Sequence, residues 1–335
     1  AGNRITGTST ERTSTTGFNT VAAVAGGWKE LGRTTLGSAG DIIDVTSLAD
    51  KRYYMLLCSS VPTANADYLL RLNADSGSNY SGRRSDDGAT DATVTSNTWV
   101  QFMDNNNLSL NFGVGYLANL AAKEKLGISH QVAGLTTAAT TAPKRSELVQ
   151  KWANTANAID QVTIHNAAGG SDYSIGDELV VLGWDPADVH TTNFWEELAS
   201  VTAAGGTETF ETGTFTAKKY LWIQAWIEGD TTNNGLDFYV NSDTGTNYAQ
   251  RYSDNGAADG TGTSTNQMFY GGGNSTTEKF FMNAFIINNS ANEKLGIAHV
   301  HNLITAGAAT APTRRETVGK WTTTGSQITK VGFKN

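Results

Sequence analysis

Six oxygen-bearing side chains recur as two sets of three in this chain of 335 residues. Asp75, Asn79 and Asp86 belong to Asp75-Ser-Gly-Ser-Asn-Tyr80 and the Arg83-Arg-Ser-Asp-Asp-Gly88 that follows. Asp243, Asn247 and Asp254 belong to Asp243-Thr-Gly-Thr-Asn-Tyr248 and Arg251-Tyr-Ser-Asp-Asn-Gly256. Carboxylate and amide oxygens at such spacing suit a hard cation, so these six are candidate Ca²⁺ ligands, and Ca²⁺ is the one cofactor that the sequence raises. A full Ca²⁺ loop gathers more carboxylates than this. The competing reading is a glycine-containing turn whose Asp and Asn side chains bond their own backbone.

Other residues able to do chemistry are sparse. His299-Val-His301 places two imidazoles on one strand face, but the corresponding earlier stretch is His130-Gln-Val132, so no metal pair is duplicated there. Strand histidines at an interface or in the core are the expectation. Tyr220, Trp222 and Trp226 alternate along one strand face and offer flat rings for a sugar or for a neighbouring subunit. Arg145, Glu147, Arg314 and Glu316 are read as ion pairs at an interface, setting register more than affinity. The chain carries no nucleophile elbow, zinc-protease helix, phosphate loop or dinucleotide fingerprint. Its recurring acids, Glu124 with Glu293 and Glu147 with Glu316, stand beside Lys or Arg, unlike the unpaired carboxylates of a glycosidase cleft. No catalytic residue is assigned, and an enzyme is not expected.

The elements that must position these residues come from an internal duplication. Trp28-Lys-Glu-Leu31 matches Trp195-Glu-Glu-Leu198, and Glu124-Lys-Leu-Gly-Ile128 matches Glu293-Lys-Leu-Gly-Ile297. Ala142-Pro143 matches Ala311-Pro312, and Lys151-Trp152 matches Lys320-Trp321, so the spacing drifts only from 167 to 169. A period that long is a whole domain and not a solenoid unit. The division read from it is an N-terminal arm at 1–27, a first domain at 28–186, a linker at 187–194 and a second domain at 195–335.

Within each copy the apolar residues alternate. In Lys219–Glu228, Leu221, Ile223, Ala225 and Ile227 share one face and Tyr220, Trp222, Gln224 and Trp226 the other. Further strands are expected over 67–73, 236–241, 280–288, 293–301, 316–322 and 327–333. Asp87-Gly88 and Asn255-Gly256 favour two-residue hairpin turns, whose central residues both need positive φ. Sustained helical periodicity is missing. The fold class expected is all-β, with two tandem antiparallel β-sandwich domains of jelly-roll type.

One asymmetry stands out. The first copy ends with the apolar run Asp177-Glu-Leu-Val-Val-Leu-Gly-Trp184, and the second copy has no counterpart. A sandwich short of a strand leaves an open edge, which another segment can fill by strand addition. The expected donor is the stretch Phe18–Ala25, with Phe18, Val21 and Val24 as its apolar residues, from this chain or a neighbouring one.

Composition narrows the class. Charged residues are only 17% and the net charge is −8, without any Lys/Arg run, which argues against a nucleic-acid partner. Thr, Ser, Asn and 36 Gly supply the polar surface and the turns. Cys58 is the single cysteine and sits in an apolar run, so it reads as a small buried hydrophobe. There is no apolar run of membrane-spanning length and no membrane insertion is expected. A chain opening on Ala1 is expected to have lost an initiator residue or a processed segment.

The tryptophan-led start Trp28-Lys-Glu-Leu-Gly-Arg-Thr-Thr-Leu36, the Asp-Ser-Gly-Ser-Asn-Tyr stretch, Glu-Lys-Leu-Gly-Ile, Ala-Pro-x-Arg, Val-x-Lys-Trp and Glu178-Leu-Val-Val-Leu-Gly183 together resemble repeats in structural proteins of tailed phages and related viruses. That resemblance covers nearly everything after residue 27. It implies a capsid decoration, tail-fibre or spike component with β-sandwich folds and no catalytic residues. It also implies residence on the virion surface and partners that are copies of itself, other virion proteins and a host surface glycan. Two other readings are a capsid shell protein with two jelly rolls per chain and a secreted tandem carbohydrate-binding module.

Overall fold

The structure is a computed structural model that describes residues 24–25, 27–106, 109–168, 170, 172–190, 192–228, 236–271, 279–303 and 307–334. These residues are all-β and contain no helix. In the first half the strands are β1 (Val24–Ala25), β2 (Lys29–Thr35), β3 (Ile42–Val45), β4 (Tyr53–Ser60), β5 (Ala66–Leu72), β6 (Tyr80–Asp86) and β7 (Ala92–Asn97). They continue with β8 (Val100–Asn106), β9 (Asn111–Ala118), β10 (Lys125–Ala133), β11 (Lys144–Trp152), β12 (Val162–His165) and β13 (Glu178–Trp184), and β14 (Val189–His190) lies in the connection. The second half holds β15 (Thr209–Glu211), β16 (Tyr220–Glu228), β17 (Asp237–Val240), β18 (Tyr248–Asp254), β19 (Gly260–Thr265) and β20 (Phe269–Tyr270). It closes with β21 (Lys279–Ile287), β22 (Lys294–Leu303), β23 (Thr313–Trp321) and β24 (Val331–Lys334).

In the first half an eight-stranded sheet, β2-β13-β4-β9-β10-β11-β6-β7, faces a four-stranded sheet, β3-β12-β5-β8. In the second half a six-stranded sheet, β16-β21-β22-β23-β18-β19, faces a four-stranded one, β15-β24-β17-β20. The second arrangement repeats the first strand for strand, except that β2 and β13 have no counterparts among the described residues. All pairings are antiparallel, as in the long ladders of β10 with β11 and β22 with β23.

Alternation explains the layers. Along β16 the inner residues Leu221, Ile223, Ala225 and Ile227 turn to the second core, and Trp222 and Trp226 turn outward. Tyr54, Leu56 and Cys58 of β4 do the same for the first core, with Tyr68, Leu70 and Ile164 opposite. The hairpin dipeptides take the backbone their chemistry favours. Asp87 and Gly88 have φ of 51° and 74°, and Asn255 and Gly256 have 52° and 76°. Gly88 is doubly constrained, because a Cβ there would lie 2.5 Å from Asp259 Oδ1 of the second half.

A third apolar cluster joins the halves. Leu110, Phe112 and Val132 of the first half, with Val180 and Leu182, meet Tyr220, Phe285, Leu295, Ile297 and Val318 of the second. These residues lie on the outward faces of the two large sheets, which therefore cover each other in part.

Of the arm residues expected to donate a strand, Phe18 and Val21 lie outside the described residues. Val24 is placed elsewhere than expected: it pairs with His190 of β14, beside the connection, and not with the second half's sheet.

Candidate functional site

The most distinctive feature is a gap where a strand belongs. In the first half β13 lies between β2 and β4 and bonds to both. Its Leu179 and Val181 are fully buried in the core, and its Val180 and Leu182 are buried on the opposite face. In the second half β16, the counterpart of β4, is the outermost strand. Residues 196–202, the counterpart of β2, form no strand. The reason is local: β2 is a polar segment, Lys-Glu-Leu-Gly-Arg-Thr-Thr, whose only sheet partner is β13.

The space left open is a groove of about 670 Å³, with Leu198, Phe210, Phe215, Ile223, Ile227 and Phe333 among its lining residues. Burial records the difference. Every residue of β4 after Tyr53 is buried, whereas β16 is buried only at Tyr220 and Leu221 and is half-buried or exposed from there on. The groove thus combines an unpaired strand edge with apolar side chains at the positions where Leu179 and Val181 would fit.

The outward face of β16 carries the three aromatics singled out from the sequence, and they fall into different settings. Tyr220 is buried at the seam, and its hydroxyl donates to Glu178 Oε1 at 2.8 Å. Trp222 stacks on Phe285 at 5.4 Å and donates its indole N–H to Asn283 Oδ1. Trp226 is 63% exposed, and its cross-strand partner Phe281 is 43% exposed. Of the three, Trp222 and Trp226 are therefore exposed, with Phe281 beside them.

The candidate Ca²⁺ ligands do not converge. Asp75 and Asn79 sit before β6 and Asp86 at its far end, about 20 Å away at 3.3 Å per residue. β18 separates Asp243 and Asn247 from Asp254 in the same way. Each Asp instead organises a turn. Asp75 accepts from Gly77 N, Asn79 Nδ2 and Trp152 Nε1, and Asp243 accepts from Gly245 N, Asn247 Nδ2 and Trp321 Nε1. Burial raises each carboxyl, but these donors outweigh it and hold both below the ordinary carboxylate range. Asp86 and Asp254 pair with Arg84 and Arg315. The motif therefore ties a turn to a buried tryptophan, a role that the sequence could have suggested, since Trp152 and Trp321 recur with the same period.

The seam between the halves gathers the remaining predicted residues. Arg145 is buried there, and its guanidinium meets Glu147 at 2.5 Å, Asp259 at 2.6 Å and Glu316 at 3.4 Å. Arg314 reaches Glu316 at 3.3 Å from the solvent side. Arg145 is enclosed within this contact, its side chain only 6% exposed. His130 and His299 meet edge to face, with ring centroids 4.6 Å apart. His130 stands opposite Glu147 on neighbouring strands, as His299 stands opposite Glu316. The absence of a duplicated His pair within one copy was no guide here, because the pairing runs between copies. The common spacing of His130 to Glu147 and His299 to Glu316 was the available signal. Lys320 is also buried at the seam, donating to the carbonyls of Gly134 and Thr136.

Cys58 is fully buried, and burial pushes its thiol above the ordinary range. Glu124 pairs with Lys151 on the surface.

No family model matches the chain, and no curated protein matches it. Among solved structures, surface protein A (NspA) of Neisseria aligns at 6% identity and a TM-score of 0.11, over 86% of this chain and 99% of that one. Ail, the attachment invasion locus protein of Yersinia pestis, aligns at 7% identity and a TM-score of 0.14, over 86% of this chain and 100% of that one. Scores this low carry no argument about fold or function.

Proposed function

We propose that this chain is a non-enzymatic structural protein of a virus particle, a capsid-associated, spike or tail component that works through oligomeric assembly. On this reading each half is a β-sandwich domain of jelly-roll type, derived by duplication. The observation that carries the proposal is the strand slot beside β16. The first half shows what such a slot takes: a seven-residue apolar strand, antiparallel to its neighbour, with two side chains buried in the core. Among the described residues nothing occupies the equivalent position in the second half.

The occupant proposed is a strand from a second copy, supplied by residues 18–23. That stretch, Phe-Asn-Thr-Val-Ala-Ala, offers apolar side chains and lies directly before the point where Val24 is held against His190. Main-chain bonds to β16 would supply affinity, and side chains entering the groove would supply specificity. Light scattering of the full chain is expected to show concentration-dependent oligomers, and a variant lacking residues 1–23 is expected to be a monomer. A synthetic peptide of residues 14–25 should bind that variant one-to-one and raise its melting temperature. A full chain that stays monomeric at every concentration while the peptide still binds the variant moves the donor into the same chain. Failure of the peptide to bind removes this donor altogether. Placement in a particle is tested by mass spectrometry of purified virions, in which peptides of this chain must appear.

The exposed row of Trp222, Trp226 and Phe281 favours a second contribution, contact with a host glycan through ring stacking. Glycan binding by a stable monomer, lost in Trp226→Ala, would instead favour a free carbohydrate-binding module.

A further inference from the structure

We propose that His130, Glu147 and His299, with Glu316 completing the set, form a binding site for one zinc-type divalent cation at the seam between the halves. One ligand atom from each of His130, Glu147 and His299 lies within 4.8 Å of the other two. Ligands around a tetrahedral zinc ion stand about 3.4 Å apart, given bonds of about 2.0–2.1 Å. Small side-chain rotations therefore suffice to close the set. The two imidazoles come from equivalent positions of the duplicated unit, each with a glutamate directly across the neighbouring strand. One His–Glu pair from each half, brought face to face, gives two nitrogen and two carboxylate donors.

Two further observations point to a cation. Nδ1 of His130 is screened from solvent and has no hydrogen-bond partner. An unpartnered buried ring nitrogen is costly unless something accepts its lone pair or proton. Among the described residues Arg145 and the exposed Arg314 pair with Glu147, Asp259 and Glu316, two positive charges against three negative, so a net −1 stays beside the two imidazoles.

Imidazole nitrogen beside carboxylate favours Zn²⁺ and related transition ions over Ca²⁺ or Mg²⁺, which take oxygen. A cation here would cross-link the halves through ligands from β10, β11, β22 and β23. The site lies away from the strand slot and does not depend on it.

The test uses the full chain, freed of metal by dialysis against a chelator. Titration with Zn²⁺ should give one ion per chain and a rise in melting temperature. Co²⁺ should give the intense visible bands of tetrahedral coordination. His299→Asn and Glu147→Gln should each weaken Zn²⁺ binding at least tenfold, while Asp75→Asn, in a turn outside the seam, leaves it unchanged. Absence of Zn²⁺ heat and of Co²⁺ bands in the unaltered chain overturns the proposal, and that result needs no variant to fold. Binding retained in full by His299→Asn overturns it as well.

Discussion

Between β2 and β4 of the first half lies a strand, and at the same place in the second half lies a groove. The two halves are built from one repeated pattern, so the groove is informative in a way that an isolated cleft is not. Around it the second core keeps its apolar walls, with Ile223 where the first half has Leu56 and Phe333 where it has Ile164. What differs is the covering strand, and with it the partner for residues 196–202. The comparison teaches that these walls are suited to a covering strand like β13.

The halves also differ at their shared seam. Arg145 is enclosed there, whereas its counterpart Arg314 has a side chain 61% exposed. Lys320 is buried between carbonyls, whereas its counterpart Lys151 pairs with Glu124 on the surface. Ile297 and Val318 are buried, and their counterparts Ile128 and Val149 are about half exposed. Equivalent surfaces are thus used unequally, so the contact between the halves is not a symmetrical one.

The largest expected effect tests that inequality. Arg145→Ala leaves Asp259, whose side chain is 2% exposed, buried and unpaired, and should cost roughly 3–5 kcal/mol in urea unfolding. Arg314→Ala should cost less than about 0.5 kcal/mol, as expected for an exposed pair. Equal losses would show that the seam is symmetrical in solution. Next comes the slot. Leu56→Ala removes a fully buried side chain and should cost about 3 kcal/mol. Ile223→Ala, at the open edge, should cost nearer ~1 kcal/mol at low protein concentration. If a second copy covers the slot, the second loss should grow as concentration rises.

The smallest effect concerns Asp237, which stands where the first half has the buried Leu69. Burial pushes its carboxyl up to about 6, opposed by Lys334. The unfolded chain releases this proton near pH 4 and the folded chain only near 6. Stability should therefore fall as pH rises between those values, and the full penalty should be present above 6. Asp237→Asn is expected to stabilise the protein by ~1–2 kcal/mol at pH 7, after allowance for solvent access. The gain should vanish below pH 4, and a gain that persisted there would place its cause outside this ionisation.

Much of the architecture was legible in the chain because it rests on local rules. A side-chain period of two identified β16 and its two faces, and Asp-Gly and Asn-Gly marked turns that need two positive φ values. Repetition of whole motifs at 167 to 169 residues exposed the duplication. The candidate ligands were harder to read. Asp75 and Asp86 look close in sequence, yet an intervening extended strand holds them apart, and the true partner of Asp75 is an indole 77 residues away.

The sequence by itself determined an all-β chain made of two like halves. It could do so because strand alternation, turn geometry and repetition are properties of neighbouring residues. Only the tertiary structure decided that His130 meets His299, that Arg145 is buried while Arg314 is not, and that an open, apolar groove lies beside β16. Those outcomes depend on which faces of two sheets cover each other, and that is settled by packing between residues far apart in the chain.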